Sequence, residues 1–137
     1  MIGHFTITKD DFADRLVEIR NTVIKLIEEY DIDTVAFEDI QLQNNVVQNV
    51  KTFKMLAEVF GVILELLQER KMKYHIVAPI VWKATFKFAG KGREAEKKLA
   101  QQYVLDEYGI KCTQDEADAA CIGIHITKTL TENFDWS

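Results

Sequence analysis

The segment from Thr34 to Ile40 constrains the fold more than any other, because it is almost continuously apolar up to a carboxylate at Glu38. A run of this kind is typical of a strand in a parallel sheet that helices cover on both faces. Helical patterns stand on either side of it, from Phe12 to Ile27 and from Val46 to about Lys71. The sequence therefore predicts an α/β fold.

The rest of the chain continues this alternation of strands and helices. It contains no internal repeat and no low-complexity linker, and its 137 residues suit one domain, residues 1–137, with a sizeable core. The remaining predicted elements are strands at 2–7 and 74–78, and helices at 79–88, 94–108 and 113–130.

Two helix starts carry the pattern of a capping box, in which a Thr and an acid three residues later satisfy each other's backbone amides. One is Thr8 with Asp11, ahead of the helix that begins near Phe12. The other is Thr113 with Glu116, ahead of the last helix. Both helices are predicted to begin at these positions.

Composition excludes some classes of protein. Hydrophobic residues make up 47% and charged residues 28%, as in an ordinary globular chain. No apolar run reaches the ~18 residues of a membrane span, and no signal peptide is evident. Cys112 and Cys121 lack metal-ligand spacing, and Cys121 is expected in the core with Trp82. A cytoplasmic setting is expected, and no membrane partner.

Positive charge is concentrated in one part of an acidic chain. The net charge is −5, yet the segment from Glu69 to Lys98 holds nine Lys and Arg against three Glu. Such a surface can hold a phosphate backbone, although each lysine alone is equally well explained as a solvated residue. The candidates for contacting DNA are Lys83, Lys87, Lys91, Arg93 and Lys98.

Three acids are the candidates for chemistry. Asp115 and Asp118 lie three residues apart at the start of the last helix, so both project from one side of it. Glu38 interrupts an apolar strand, where an unpaired carboxylate is costly. Asp39 is an alternative to Glu38, because adjacent strand residues point to opposite faces. The alternative for Asp115 is a purely electrostatic preference for the first helical turn.

A cluster of carboxylates fits one or two Mg²⁺ or Mn²⁺ ions. Two ions could support attack of water on a phosphodiester, one activating the water and the other stabilising the leaving oxygen. Lys97 and Lys83 are candidates for neutralising charge on the phosphate, although a surface position explains either one as well. The residues thus predict metal-dependent phosphodiester hydrolysis.

Four segments together resemble the RuvC-type Holliday-junction resolvases, in particular the bacteriophage-type members. They occur in the order and at the spacing of that family, and the resemblance spans Phe5 to Thr127. The segments are Lys9 to Leu16, Val35 to Glu38, Gly92 to Lys97 and Asp115 to Ala120.

The resemblance implies a ribonuclease-H-like mixed sheet flanked by helices, and a homodimer that resolves four-way DNA junctions by paired nicks. It implies that Glu38, Asp115 and Asp118 bind metal, and that lysines at positions 83 and 97 assist. It also implies that the cytoplasmic setting is that of a bacterial or phage-infected cell. The helix from Val46 to Lys71 is expected to form the dimer contact, because its apolar residues make more than one stripe.

The chain departs from the family at its start. The family begins with an apolar strand that ends in a first metal-binding aspartate, followed by a second strand, and this sequence shows neither strand. Asp10, Asp11 and Asp14 cannot replace the missing aspartate, because they open a helix. The expectation is an N-terminally shortened reading of a longer protein. Two alternatives to an endonuclease follow: a non-catalytic branched-DNA-binding protein, and a dimeric interaction protein of the same fold.

Overall fold

The computed structural model describes residues 1–40, 46–88 and 90–134, and these contain five helices and two strands. Strands β1 and β2 pair in a parallel sheet, and helix α2 makes the crossover that parallel strands require. The predicted α/β class is confirmed. The elements are α1 (Phe12–Glu29), β1 (Thr34–Glu38), α2 (Val46–Glu69), β2 (Lys73–Val77), α3 (Pro79–Thr85), α4 (Arg93–Tyr108) and α5 (Gln114–Phe134).

The chain divides into two compact units, and each strand begins in one unit and ends in the other. The first unit comprises Met1–His4, Ala36–Glu38 and His75–Ser137, and the second comprises Phe5–Val35 and Asp39–Tyr74. The assignment of residues 1–137 to a single domain stays a prediction.

The core of the first unit forms where α3 and α4 pack against α5. Trp82 is 1% exposed and is the largest fully buried side chain among the residues whose burial is described. The predictions of core positions for Trp82 and Cys121 are confirmed. Small residues let α5 approach its neighbours, since Ala117 is fully buried. The buried members of this core cluster are Val77, Trp82, Phe88, Ala100, Val104, Ala117, Cys121 and Ile122.

The second unit is built on the packing of α1 against α2. Ile27 of α1 and the adjacent Leu66 and Leu67 of α2 are buried, as the helical spacing of apolar residues predicts. Two ion pairs also join these helices, one between Arg20 and Glu69 (2.9 Å), the other between the Arg70 guanidinium just after α2 and Glu28 (3.2 Å). Both pairs are largely exposed, so they add little to stability.

Three helix ends in the second half of the chain agree with the sequence signals: the start of α3, the end of α4 and the start of α5. Pro79 stands at the first position of α3, where its missing N–H costs nothing. Gly109 ends α4 in the left-handed conformation (φ 68°), which glycine adopts without strain. At α5 the predicted capping box is present: the Thr113 amide donates to Glu116 Oε1 (2.9 Å), and the Glu116 amide donates to Thr113 Oγ1 (3.2 Å).

Replacing the cap by Thr113→Ala is expected to lower the free energy of unfolding by about 1 kcal/mol, because one amide of the first turn loses its acceptor. Urea denaturation would measure the change. Thr127→Ala is the control, since the Thr127 hydroxyl donates to Gly123 O within the same helix and caps no helix end. An equal loss in both variants would contradict the cap interpretation.

Two predictions near the N-terminus are wrong. Residues 2–7 form no strand, because the sheet in the described part of the chain holds β1 and β2 alone; Ile2 instead packs on the core cluster. Thr8 does not cap α1. The Glu18 carboxylate accepts from both the amide and the hydroxyl of Thr8 (3.0 and 2.8 Å), and Asp11 is the residue that accepts from the Asp14 amide.

Other boundaries differ from the predictions by one to four residues. α3 ends at Thr85 rather than at Phe88, and α5 ends at Phe134 rather than near Leu130. β1 ends at Glu38, so Asp39 and Ile40 lie beyond the strand, and α2 ends at Glu69 rather than at Lys71. Within the described residues, no helix has the length and apolar character needed to cross a bilayer.

Candidate active site

The Glu38 carboxylate is held by a buried tryptophan of α3. Glu38 is the last residue of β1 and is exposed, whereas Trp82 belongs to the core. The Trp82 Nε1–H donates to Glu38 Oε2 at 2.8 Å. An indole N–H that is buried needs an acceptor, and the strand-end glutamate supplies it.

Helix α5 contributes two further carboxylates from its first turns. The capping box fixes where the helix begins, so Asp115 and Asp118 follow at defined positions one turn apart. Asp115 is exposed, while Asp118 is partly buried beside Ala117, which is fully buried. The partly buried aspartate therefore lies where the helix meets the core of the first unit.

The pKa of Asp118 shows which charges lie near it. Burial, then the negative charge of Glu38, and to a smaller extent that of Asp115, raise the pKa from its usual 3.8 to about 6. The positive charges of Lys83 and Lys97 oppose this shift. Residues distant in sequence, from β1, α3, α4 and α5, thus form one charged cluster.

This active-site cluster, defined as Glu38, Asp115, Asp118, Lys83 and Lys97, matches the acids and the two assisting lysines that the sequence singled out. Of the two acids considered on β1, Glu38 is the one whose charge acts on Asp118. Their catalytic roles stay predictions.

A preformed metal site is not evident. Across the described residues, no three His, Cys, Asp or Glu side chains lie close enough together to hold a metal ion. The chemistry of the donors fits a hard divalent cation, since all three are carboxylates and they repel one another. The three carboxylates therefore lie near enough to influence one another's charge, but not near enough to coordinate one metal ion together.

The other candidates for contacting DNA lie near the start of α4 in the sequence. Lys87 and Lys91 are exposed in the connection from α3, and Lys98 is exposed on α4. Arg93 opens α4, and its side chain lies outside the described part of the chain. Their assignment to DNA contacts stays a prediction.

Sequence reasoning missed the connection of Trp82 to the acids. A signal existed, because a buried tryptophan requires an acceptor for its N–H. The sequence does not identify that acceptor, which lies 44 positions away. Two histidines also have defined partners: His4 Nδ1 lies 3.1 Å from Glu116 Oε2, and His125 Nδ1 lies 2.6 Å from the Thr85 hydroxyl.

Two solved structures of known proteins are similar to this chain. Thermus thermophilus RuvC has a similar structure, with a TM-score of 0.65 at 16% identity over 90% of this chain and 74% of that one. T. thermophilus RuvC in complex with a Holliday junction substrate gives a TM-score of 0.58 at 14% identity over 90% of this chain and 75% of the other. At these identities the likeness shows the fold, which is that of RuvC.

None of the curated proteins compared with the sequence matches it. The family model for crossover junction endodeoxyribonuclease RuvC matches residues 1–127, nearly the whole chain. The resemblance seen in the sequence is therefore confirmed at the level of the family. The chain belongs to the RuvC family of crossover junction endodeoxyribonucleases.

Proposed function

We propose that this protein is a metal-dependent endonuclease that resolves four-way DNA junctions by paired nicks. One observation carries the proposal: the acids at positions 38, 115 and 118, to which the resemblance assigns metal binding, share a charged cluster with Lys83 and Lys97. A relative of the same fold was solved in complex with a Holliday junction substrate, which supports branched DNA as the ligand. The assignment to the bacteriophage-type members rests on the sequence resemblance.

The proposed cofactor is Mg²⁺ or Mn²⁺, held by Glu38, Asp115 and Asp118. Support comes from the repulsion among these acids, which a cation would relieve. When bound, such ions activate water and stabilise the leaving oxygen of a phosphodiester. The chain's own contribution is to hold the acids in place through β1, α3 and the capped start of α5.

The two lysines of the cluster are proposed to act on the phosphate. Lys83 and Lys97 are partly buried, and their charges already act on Asp118. Positive charge fixed beside the acids would balance the charge that develops on the phosphate during cleavage. Lys87, Lys91, Arg93 and Lys98 are proposed to contact the DNA backbone.

A homodimer is proposed because paired nicks across a symmetric junction require two active sites. α2 supports this: Val50 and Leu56 are 52% and 49% exposed, so a helix that also has buried apolar residues leaves apolar side chains available for a contact. The dimer contact is therefore proposed on α2. The cytoplasmic setting, in a bacterial or phage-infected cell, is likewise a proposal, supported by two free cysteines.

The test is a nicking assay on a synthetic four-way junction, with Mg²⁺ or Mn²⁺, against a linear duplex of the same sequence. Cleavage of the junction at symmetric positions supports the proposal. Junction binding without cleavage at any metal concentration would favour a non-catalytic binding protein. Absence of binding even at low salt, where a basic surface binds most tightly, would favour an interaction protein.

Lys97→Gln is expected to slow cleavage roughly 10²-fold, because a positive charge beside the reacting phosphate is lost. The adjacent Lys98 is the matched control, since it is exposed on the same helix. Lys98→Gln is expected to weaken junction binding and to reduce its salt dependence by about one unit of slope, while bound junctions are cleaved at the normal rate. Equal cleavage rates for the two variants at saturating protein would contradict the role of Lys97.

A further inference from the structure

Trp82 is fixed in place before any substrate arrives. Its side chain is 1% exposed and is the largest fully buried side chain among the described residues. The indole has a single polar atom, Nε1, which can only donate. Because the ring is enclosed by the core cluster, the direction of this N–H is set by packing.

Glu38, by contrast, is exposed, and a glutamate at the end of a strand can adopt many rotamers. The 2.8 Å bond from Trp82 Nε1 to Oε2 selects one of them. A carboxylate accepts several hydrogen bonds, so one indole donor leaves capacity for a second partner. The buried Trp82 therefore fixes the orientation of the exposed Glu38 carboxylate.

The same helix connects this bond to the rest of the cluster. Lys83 follows Trp82 directly, and its Nζ lies 5.7 Å from the centre of the indole ring. Its charge acts on Asp118. α3 thus presents a donor to one acid and a positive charge to another from two adjacent residues.

From these contacts we propose that Trp82 is a positioning residue for Glu38: it orients the carboxylate toward the other acids of the active-site cluster. The inference rests on the proposed function for its consequence in catalysis. Trp82 acts on Glu38 from within the core, since its own side chain is 1% exposed.

Trp82→Phe keeps an aromatic ring in the core and removes the donor. We expect the cleavage rate at saturating junction to fall about ten-fold, as for other residues that orient metal-binding side chains, with unchanged junction affinity. Val104→Ala is the matched control, because Val104 is fully buried in the same core cluster and makes no hydrogen bond to Glu38 through its side chain. We expect Val104→Ala to lower the free energy of unfolding and to leave the cleavage rate unchanged. That result separates a positioning role of Trp82 from a general weakening of the fold.

A second measurement follows the bond itself, without catalysis. The indole N–H signals of Trp82 and Trp136 are assigned in NMR spectra by Trp136→Phe. Glu38→Ala is expected to move the Trp82 signal upfield, since the acceptor is lost, whereas Glu38→Gln, which keeps an acceptor oxygen, leaves it close to its original position.

The outcomes are distinct. A Trp82→Phe protein that cleaves at the wild-type rate, or a Trp82 signal that does not respond to Glu38→Ala, overturns the positioning role. A wild-type protein that binds junctions but never cleaves them refutes the proposed function, and the NMR response then decides the positioning of Glu38 alone.

Discussion

Asp118→Asn is expected to reduce metal-dependent cleavage of a four-way junction roughly 10³-fold, because a metal ion supplies several kcal/mol to such a reaction. An amide keeps the size of the side chain but loses the negative charge that would hold the cation. Junction binding should persist, since the contacts to phosphate are assigned to lysines. Gel-based cleavage and binding assays on the same junction measure both quantities.

The same substitution is expected to stabilise the metal-free protein at about pH 8, by about 1 kcal/mol. The full shift of Asp118 from 3.8 to about 6 corresponds to a larger free energy, but solvent at this half-buried side chain screens it. Because the pKa of Asp118 is raised on folding, its carboxylate binds a proton more tightly in the folded protein than in the unfolded chain. Stability from this group is present below the unfolded pKa and is lost as the pH rises through about 6.

Urea unfolding at about pH 4 and at about pH 8 tests the sign, because the gain from Asp118→Asn should appear only at the higher pH. Asp106→Asn is the control: Asp106 is exposed on α4, and an amide there can still accept from Gln102 Nε2. It should change neither cleavage nor stability. Undiminished cleavage by the Asp118 variant would end the proposed mechanism, and a loss of stability at high pH would contradict the electrostatic cost assigned to Asp118.

Local signals in the sequence predict local structure well. The capping box of Thr113 and Glu116 is present because its partners are three residues apart. His4 Nδ1 contacts the other carboxylate oxygen of Glu116, Oε2, and leaves Oε1 to the Thr113 amide. Gly109 ends α4 for a similarly local reason. Thr8 fails as a cap because Glu18, ten residues later, takes its amide and hydroxyl. The capping-box pattern therefore predicts the cap correctly at Thr113 and wrongly at Thr8, because the contact of Thr8 with Glu18 lies outside the four residues of the pattern.

The active-site cluster depends on contacts that no local pattern contains. The family resemblance indicates which acids to consider, and in the folded chain the charge of Glu38, the last residue of β1, acts on Asp118. The bond from Trp82 spans 44 positions. Sequence reasoning can state that a buried indole needs an acceptor, but only the packing of α3 determines which carboxylate fills that role.

Trp82→Ala is expected to lower the free energy of unfolding by about 3–5 kcal/mol, the largest effect on stability of any substitution considered. The ring is 1% exposed in the core cluster, so its removal loses apolar burial and leaves a cavity. Natural domains of this size have about 5–15 kcal/mol in total. Urea denaturation, followed by far-UV circular dichroism, measures the change.

Ile80→Ala is the control within the same helix, because Ile80 is 67% exposed and its truncation is expected to cost no more than about 0.5 kcal/mol. Comparable losses in both variants would mean that α3 is not anchored through Trp82. The variant with alanine at position 82 loses packing and the hydrogen bond together, whereas the phenylalanine variant loses mainly the bond. Since Trp82 belongs to both the core and the cluster of acids, the difference between their cleavage rates, measured where both remain folded, gives the part of Glu38 positioning that depends on the packing of α3.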